Sequence, residues 1–238
     1  MSRINFAAST LIVFAFSLFG LIETSHALTT VKVFAASSLT ASYQEMGSDF
    51  GKSHPSIKIS FVFGSSSTLA TQIQNGASAD ILVAASPIDM KKVARGQNYL
   101  VNRVVLAFPS ISTIARFSDL NSGVKWIRCA NEVPCGAAAR KALLAEKIKS
   151  APVSLEPTAS TVIAKLLAGE VDAAIVYKTD VVAHEGVLKS LEFTSRNLAK
   201  TQYQIASLNN QPSTKEVLSY LKSKDVLNNL YSRGFEIS

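Results

Sequence analysis

Apolar residues in this chain keep two rhythms that take turns. In Thr30 to Ala35 (T-V-K-V-F-A) and at Ile57, Ile59, Phe61 and Phe63 they recur at every second position, the period of a strand with one buried face. Leu39, Tyr43, Met46 and Phe50, and then Leu69, Ala70 and Ile73, instead fall at helical spacing. Ala79 to Ala84 is a short continuous apolar run of the buried-strand type. Further strands are predicted at Val104 to Phe108, Val124 to Cys129, Val171 to Tyr177, Val187 to Phe193 and Tyr203 to Leu208. Further helices are predicted from Ser86, through Arg140, Leu143, Leu144 and Ile148, and at Ile163, Leu166 and Leu167 with Gly169 as the stop. Asp180 to Glu185, Lys215 to Lys222 and Val226 to Tyr231 complete the set. Strand and helix alternating in this way predict an α/β protein with parallel-rich mixed sheets and helices on both faces. The pattern weakens between Pro109 and Leu120, which suggests a crossing into a second lobe. The expected division is lobe 1 from 28 to 108 plus 203 to 238, and lobe 2 from 109 to 202, with a cleft between them.

The strand-to-helix turns carry the candidate chemistry. Gly64 to Leu69 reads G-S-S-S-T-L, and no carboxylate occurs from Gly64 to Gln74. The first turn of a helix has backbone N–H groups without partners and the positive end of the dipole, so acidic residues usually gather there. The pattern recurs after Thr30 to Ala35, where Ser38 is placed as an N-cap and no acid follows until Glu45. It recurs again past Cys135, and at Pro157-Thr158-Ala159-Ser160. Ser86-Pro87-Ile88-Asp89 is an internal contrast, with hydroxyl cap, proline and acid in their ordinary places. Turns at Ser38, Ser66, Cys135 and Ala159 would therefore present free N–H groups and hydroxyls to an anion. The plainer alternative is that Ser66 or Ser67 merely caps its helix. Donors without a carboxylate favour a fully deprotonated tetrahedral dianion such as sulfate, molybdate or tungstate. Phosphate keeps a proton that needs an acceptor.

Composition narrows the picture. The 238 residues are 47% apolar and 17% charged, ordinary values for a globular protein. The formal charge of +7 is spread along the chain without a basic block or interleaved aromatics, which argues against a nucleic-acid surface. Arg3, the apolar run from Ile4 to Ile22 and the small-x-small exit Ser25-His26-Ala27 predict a signal peptide over residues 1 to 27, cleaved after Ala27. In the oxidising compartment this implies, Cys129 and Cys135, six residues apart, form a disulfide by preference. The three histidines are scattered, so no metal site and no cofactor are expected.

Several stretches resemble a known family: A-A-S-S-L-T (Ala35 to Thr40), S-S-S-T-L-A (Ser65 to Ala70), A-D-I-L-V-A-A-S (Ala79 to Ser86), V-P-C-G (Val133 to Gly136), I-V-Y-K-T-D (Ile175 to Asp180) and the ending R-G-F-E-I. In that order they resemble the periplasmic molybdate-binding proteins of ABC transporters across nearly all of the exported chain. The resemblance implies a two-lobed type II periplasmic binding protein, a monomer that closes on molybdate or tungstate and delivers it to a membrane ABC permease. It implies that Ser38 and Ser66 give hydroxyl and N–H to the oxyanion, Cys135 and Ala159 a backbone N–H, and Tyr177 its phenolic O–H. Cys135 stands where that family has alanine, and P-T-A-S departs from its pattern before Ala159. Other classes remain to be weighed. A secreted serine hydrolase would use Ser66 or Ser38, but Gly64 to Thr68 lacks the second glycine of a nucleophile elbow, and His184 with Asp180 is the only candidate base pair. A sensor domain of the same fold, or the same fold taking sulfate, phosphate or another tetrahedral oxyanion, are the others.

Overall fold

The computed structural model describes residues 28–238; the expected signal peptide lies outside the described residues. The first half contains β1 (Thr29–Ala36), α1 (Thr40–Ser53), β2 (Ile57–Gly64), α2 (Ser66–Gln74), β3 (Ile81–Ala84), α3 (Pro87–Lys91) and the long β4 (Gln97–Pro109). Then come β5 (Trp126–Cys129), α4 (Pro134–Ala145), β6 (Ser154–Glu156), α5 (Ala159–Leu167), β7 (Ala173–Tyr177), α6 (Lys178–Val182) and β8 (Leu188–Glu192). The chain closes with β9 (Lys200–Ser207), α7 (Pro212–Leu221), α8 (Lys224–Ser232) and β10 (Glu236–Ile237). The strand order is β2-β1-β3-β9-β4-β7-β5-β6, with β8 and β10 also on β4. β1 pairs in parallel with β2 and β3, and β5 with β6 and β7. β9 and β4 run antiparallel to their neighbours, so the sheet is mixed.

β4 joins the two halves. From Gln97 to Arg103 it pairs with β9, and from Val104 onward with β7 and β8. Beside the change of partner, the Val104 N–H donates to the Ala199 carbonyl at 2.9 Å, so the two strands that cross between halves run side by side. The core divides at the same place: Val104 to Phe108 pack with Trp126, Ile127, Val162 and Ile175, whereas Tyr99 and Leu100 pack with Val33, Leu39, Tyr43 and Phe50. In the first half, alternation along β1 sends Val31, Val33 and Ala35 to the side of α1, α7 and α8. Phe34 goes to a second cluster with Leu69, Leu82 and Met90. Both faces of that sheet are therefore covered, as a parallel sheet requires.

Three strands differ from the sequence expectation, the short β10 at the chain's end being one that no pattern announced. β4 begins at Gln97, seven residues before the apolar run, and β6 has no apolar run of its own. Gln97, Asn98, Asn102 and Arg103 hide the strand pattern because their polar groups find partners far along the chain. Arg103 Nε and Nη2, for example, donate to the Glu236 carboxylate at 2.7 and 2.8 Å.

Candidate functional site

Six strand ends meet at one cavity. The first half contributes Ala36, Ser37 and Ser38 after β1, Gly64 to Ser66 between β2 and α2, and Ala85 after β3. The second contributes Val133 to Cys135 at the start of α4, Thr158 and Ala159 at the start of α5, and Tyr177 at the end of β7. Ser38, Ser66, Cys135, Ala159 and Tyr177, singled out on different grounds along the sequence, all line it. The cavity is small, about 20 Å³ as space open to the centre of a water-sized sphere, and no charged side chain lines it. Ser66, Cys135, Ala159 and Tyr177 are buried and Ser38 is half-buried.

The turns are built in two ways. α2 and α5 do carry caps: Ser65 Oγ accepts the Thr68 N–H at 3.2 Å, and Thr158 Oγ1 accepts the Thr161 N–H at 3.1 Å. The expectation of four uncapped turns is thus corrected for these two. The correction has a simple physical basis, since one hydroxyl satisfies only the third N–H and leaves those of Ser66 and Ala159 pointing past the helix end. Ser38 is not an N-cap either. It lies inside a 3-10 turn, Ser37–Leu39, whose own cap position is Ala36, and α1 starts after Leu39. α4 has no side-chain cap, with Pro134 in its first turn. None of α1, α2, α4 and α5 has an acid in its first turn, whereas α3 has Asp89 and the Ser86 cap.

Each donor is fixed from behind. Ser66 Oγ accepts the buried N–H of Ala85 at 2.8 Å, which leaves the serine's own O–H to donate. Cys135 is bonded to Cys129 at the end of β5, so the disulfide ties the second residue of α4 to its sheet. Gly136 lets that helix end come close: a Cβ there would lie 1.8 Å from the Ala130 carbonyl oxygen. The Tyr177 N–H donates to Asp180 Oδ2 at 2.9 Å, and its phenol donates to Thr201 Oγ1 at 3.2 Å. Burial pushes the Tyr177 phenol well above its usual range, so it stays a neutral donor at any working pH. Ser38 Oγ lies 2.7 Å from the phenol of Tyr203, which is fully buried on β9. Tyr203, and Asn102 and Thr201 beside it, were not legible as site residues. Tyr203 stands 165 positions from Ser38, and no local motif marks it.

A hydrolytic arrangement is not assembled. His184 Nδ1 lies 2.7 Å from the Asp180 carbonyl one helical turn back, and the hydroxyls of Ser38 and Ser66 go to Tyr203 and Ala85. Among the described residues no cluster of three or more His, Cys, Asp or Glu could hold a metal ion. No described helix is long and apolar enough to cross a membrane.

Two α/β halves joined by paired crossing strands, with helix N-termini and hydroxyls converging between them, define the type II periplasmic binding protein fold. Residues 31–236 match the family described as bacterial extracellular solute-binding protein, and this chain belongs to it. Among its relatives, the Molybdate-binding protein ModA of Mycobacterium tuberculosis is 32% identical over 189 residues, covering 75% of this chain and 72% of that protein. That of Haemophilus influenzae is 30% identical over 229 residues, covering 86% and 89%. Among solved structures, the Azotobacter vinelandii periplasmic molybdate-binding protein superposes with a TM-score of 0.74 at 16% identity, covering 87% of this chain and 99% of that one. The sulfate-binding protein SubI of Mycobacterium tuberculosis gives 0.68 at 12% identity, covering 87% and 86%.

Proposed function

We propose that this protein captures a fully deprotonated tetrahedral oxyanion, molybdate or tungstate, between its two halves and delivers it to an ABC permease. The observation that carries the reading is the single cavity in which Ser38, Ser66, Cys135, Ala159 and Tyr177 meet with no charged side chain among its lining residues. Such a site offers donors and helix ends, each worth about 0.3 to 2 kcal/mol of attraction to an anion. The relatives named as molybdate-binding support the choice of ligand. The protein acts outside the cytoplasm as a monomer, after removal of residues 1 to 27, in the periplasm and without catalysis. Its halves are lobes that hinge where β4 and β9 cross, near Arg103, Val104 and Ala199. Because each lobe holds part of the donor set, binding energy from both sides favours the closed form.

Calorimetric titration of the exported protein, freed of oxyanions, with molybdate, tungstate, sulfate and phosphate tests this. Tight one-to-one binding of molybdate and tungstate with far weaker sulfate and phosphate is expected. Tight sulfate binding would keep the anion cleft and overturn the choice of ligand, and no binding of any of the four would overturn the reading.

A further inference from the structure

We propose that Arg128, which does not line the ligand cavity, draws the oxyanion from behind its wall: a buried guanidinium without a carboxylate partner, set against the first turn of α4, whose charge the bound anion balances. This rests on the oxyanion reading of the site.

Arg128 lies on β5 and is buried, at 8% exposure. A buried guanidinium ordinarily has a carboxylate against it, because the hydration it gives up must be replaced. Among the described residues Arg128 has no ion pair within 4.0 Å. Glu156 on β6, in register with Cys129, accepts instead from Lys165 at 2.7 Å and from the Ser154 hydroxyl at 2.6 Å. Glu132, in the turn before α4, is exposed. What Arg128 does hold is a carbonyl: its Nη1 donates to the Cys129 oxygen at 2.9 Å.

That carbonyl fixes where the charge lies. A Cβ on Gly136 would be 2.6 Å from the Cys129 oxygen, so the first turn of α4 is pressed against the same atom. Cys129 is also bonded through sulfur to Cys135, which lines the cavity, and their Cα atoms are 5.8 Å apart. The guanidinium therefore stands directly behind the stretch of wall that Cys135 forms.

This placement runs against the usual electrostatics of a helix. A helix start is positive and is stabilised by an acid, yet α4 has no acid in its first turn and has Arg128 beside it. Burial, and then the Arg140 guanidinium further along α4, pull the Arg128 pKa below its usual value against the opposing pull of Glu132. An arginine stays charged even so. In the free protein this corner thus holds a positive charge without a close partner, and a dianion in the cavity supplies one. By Coulomb's law the attraction depends on the charge of the anion and its distance, so it is the same for every dianion that fits. The choice among dianions is left to the donors in the wall.

The test is titration with molybdate of the wild type, Arg128→Gln and Arg128→Lys, with melting curves of all three free of ligand. The wild-type titration checks the oxyanion reading by itself, whatever the variants do. Arg128→Gln removes the charge and keeps an amide N–H; its affinity should fall about tenfold. Its ligand-free melting temperature should equal or exceed that of the wild type, because an uncompensated buried charge has gone. Arg128→Lys keeps the charge and should bind within about threefold of the wild type. A merely structural role lowers melting and affinity together. Wild-type affinity in Arg128→Gln, a lower melting temperature or loss of folding in that variant, or Arg128→Lys binding as weakly as Arg128→Gln would each overturn the inference and leave the oxyanion reading intact.

Discussion

Ser66→Ala separates two jobs that one hydroxyl performs. Ser66 Oγ accepts the N–H of Ala85, and both residues are buried, at 1% and 5% exposure. Removing the acceptor leaves that N–H without a partner in a place water does not reach, a penalty of about 1 to 3 kcal/mol in the free protein. A domain of this size loses about 2 to 4 °C of melting temperature per kcal/mol, so the fall is readily measured. The second job belongs to the proposed function: with ligand bound, the Ser66 O–H would donate to the anion. A hydrogen bond to a charged acceptor is worth about 1.5 to 3 kcal/mol, so molybdate affinity should fall about ten- to a hundredfold. Ser223→Ala supplies the comparison, since Ser223 Oγ caps α8 at Val226, away from the cavity. Its loss should cost about 1 kcal/mol of stability and leave affinity close to wild type. Melting curves with calorimetric titration of the two variants distinguish the jobs. If Ser66→Ala melts lower yet binds molybdate as wild type does, Ser66 stabilises the turn and has no part in the ligand site.

Three other variants probe the supports of the site. Gly136→Ala would push a methyl into the Ala130 carbonyl, 1.8 Å from the added carbon, so the start of α4 must move; about 1 to 3 kcal/mol of stability should be lost, with a clear drop in affinity by titration. Replacing both Cys129 and Cys135 by serine opens a short loop and should cost about 2 kcal/mol, with weaker binding because the Cys135 N–H is no longer held; unchanged binding would mean that Pro134 and Gly136 suffice to place it. Asp180 gives a pH signature. Burial pushes its carboxyl up to about 7, against the pull of its Tyr177 N–H bond and of His184. Between about pH 4 and 7 the folded protein holds a proton that the unfolded chain has released, so this group makes stability fall as pH rises, with the loss complete above 7. Asp180→Asn should remove that slope in melting temperature, and an unaltered slope would assign it to other groups.

How legible the molecule was depends on how local each cause is. The strand-to-helix turns could be read because each is local: alternation ends, small hydroxyl residues follow, and no acid appears in the next turn, as at Gly64 to Leu69. The choice of cap was less legible, because Ser65, Ser66 and Ser67 are the same residue type in a row. Backbone geometry decides among them: Ser65, with φ −68° and ψ 146°, is outside the helix, and Ser66 begins it. The same ambiguity put Ser38 in a cap position that it does not occupy. The first half of β4 was hidden for the opposite reason. Its polar residues look wrong for a buried strand until Thr179 and Glu236 arrive to meet Asn102 and Arg103. Tyr203 lies at the far limit, since its importance rests on a partner from the other end of the chain.

A site that holds a dianion without a counter-charge has to solve a problem of position rather than of charge. Transferring a dianion from water into a closed cleft is costly, and only donors aimed at its oxygens can replace the lost hydration. A lysine or arginine would attract any anion and bend to fit it, whereas backbone N–H groups and anchored hydroxyls accept only an anion of matching radius and protonation. The value of each donor here therefore depends on what holds it. Cys135 is held by the disulfide and by the close approach at Gly136, Ser66 by Ala85, Ala159 by the Thr158 cap behind it, and Ser38 by Tyr203. Removing a donor subtracts one bond from every anion that fits and lowers affinity across the series. Loosening a support lets the donor follow whichever anion is present, and it is selectivity that suffers first. On this argument the residues that choose the ligand are the ones standing behind those that touch it, and one of them, Tyr203 behind Ser38, lies on β9, a strand that crosses between the two halves.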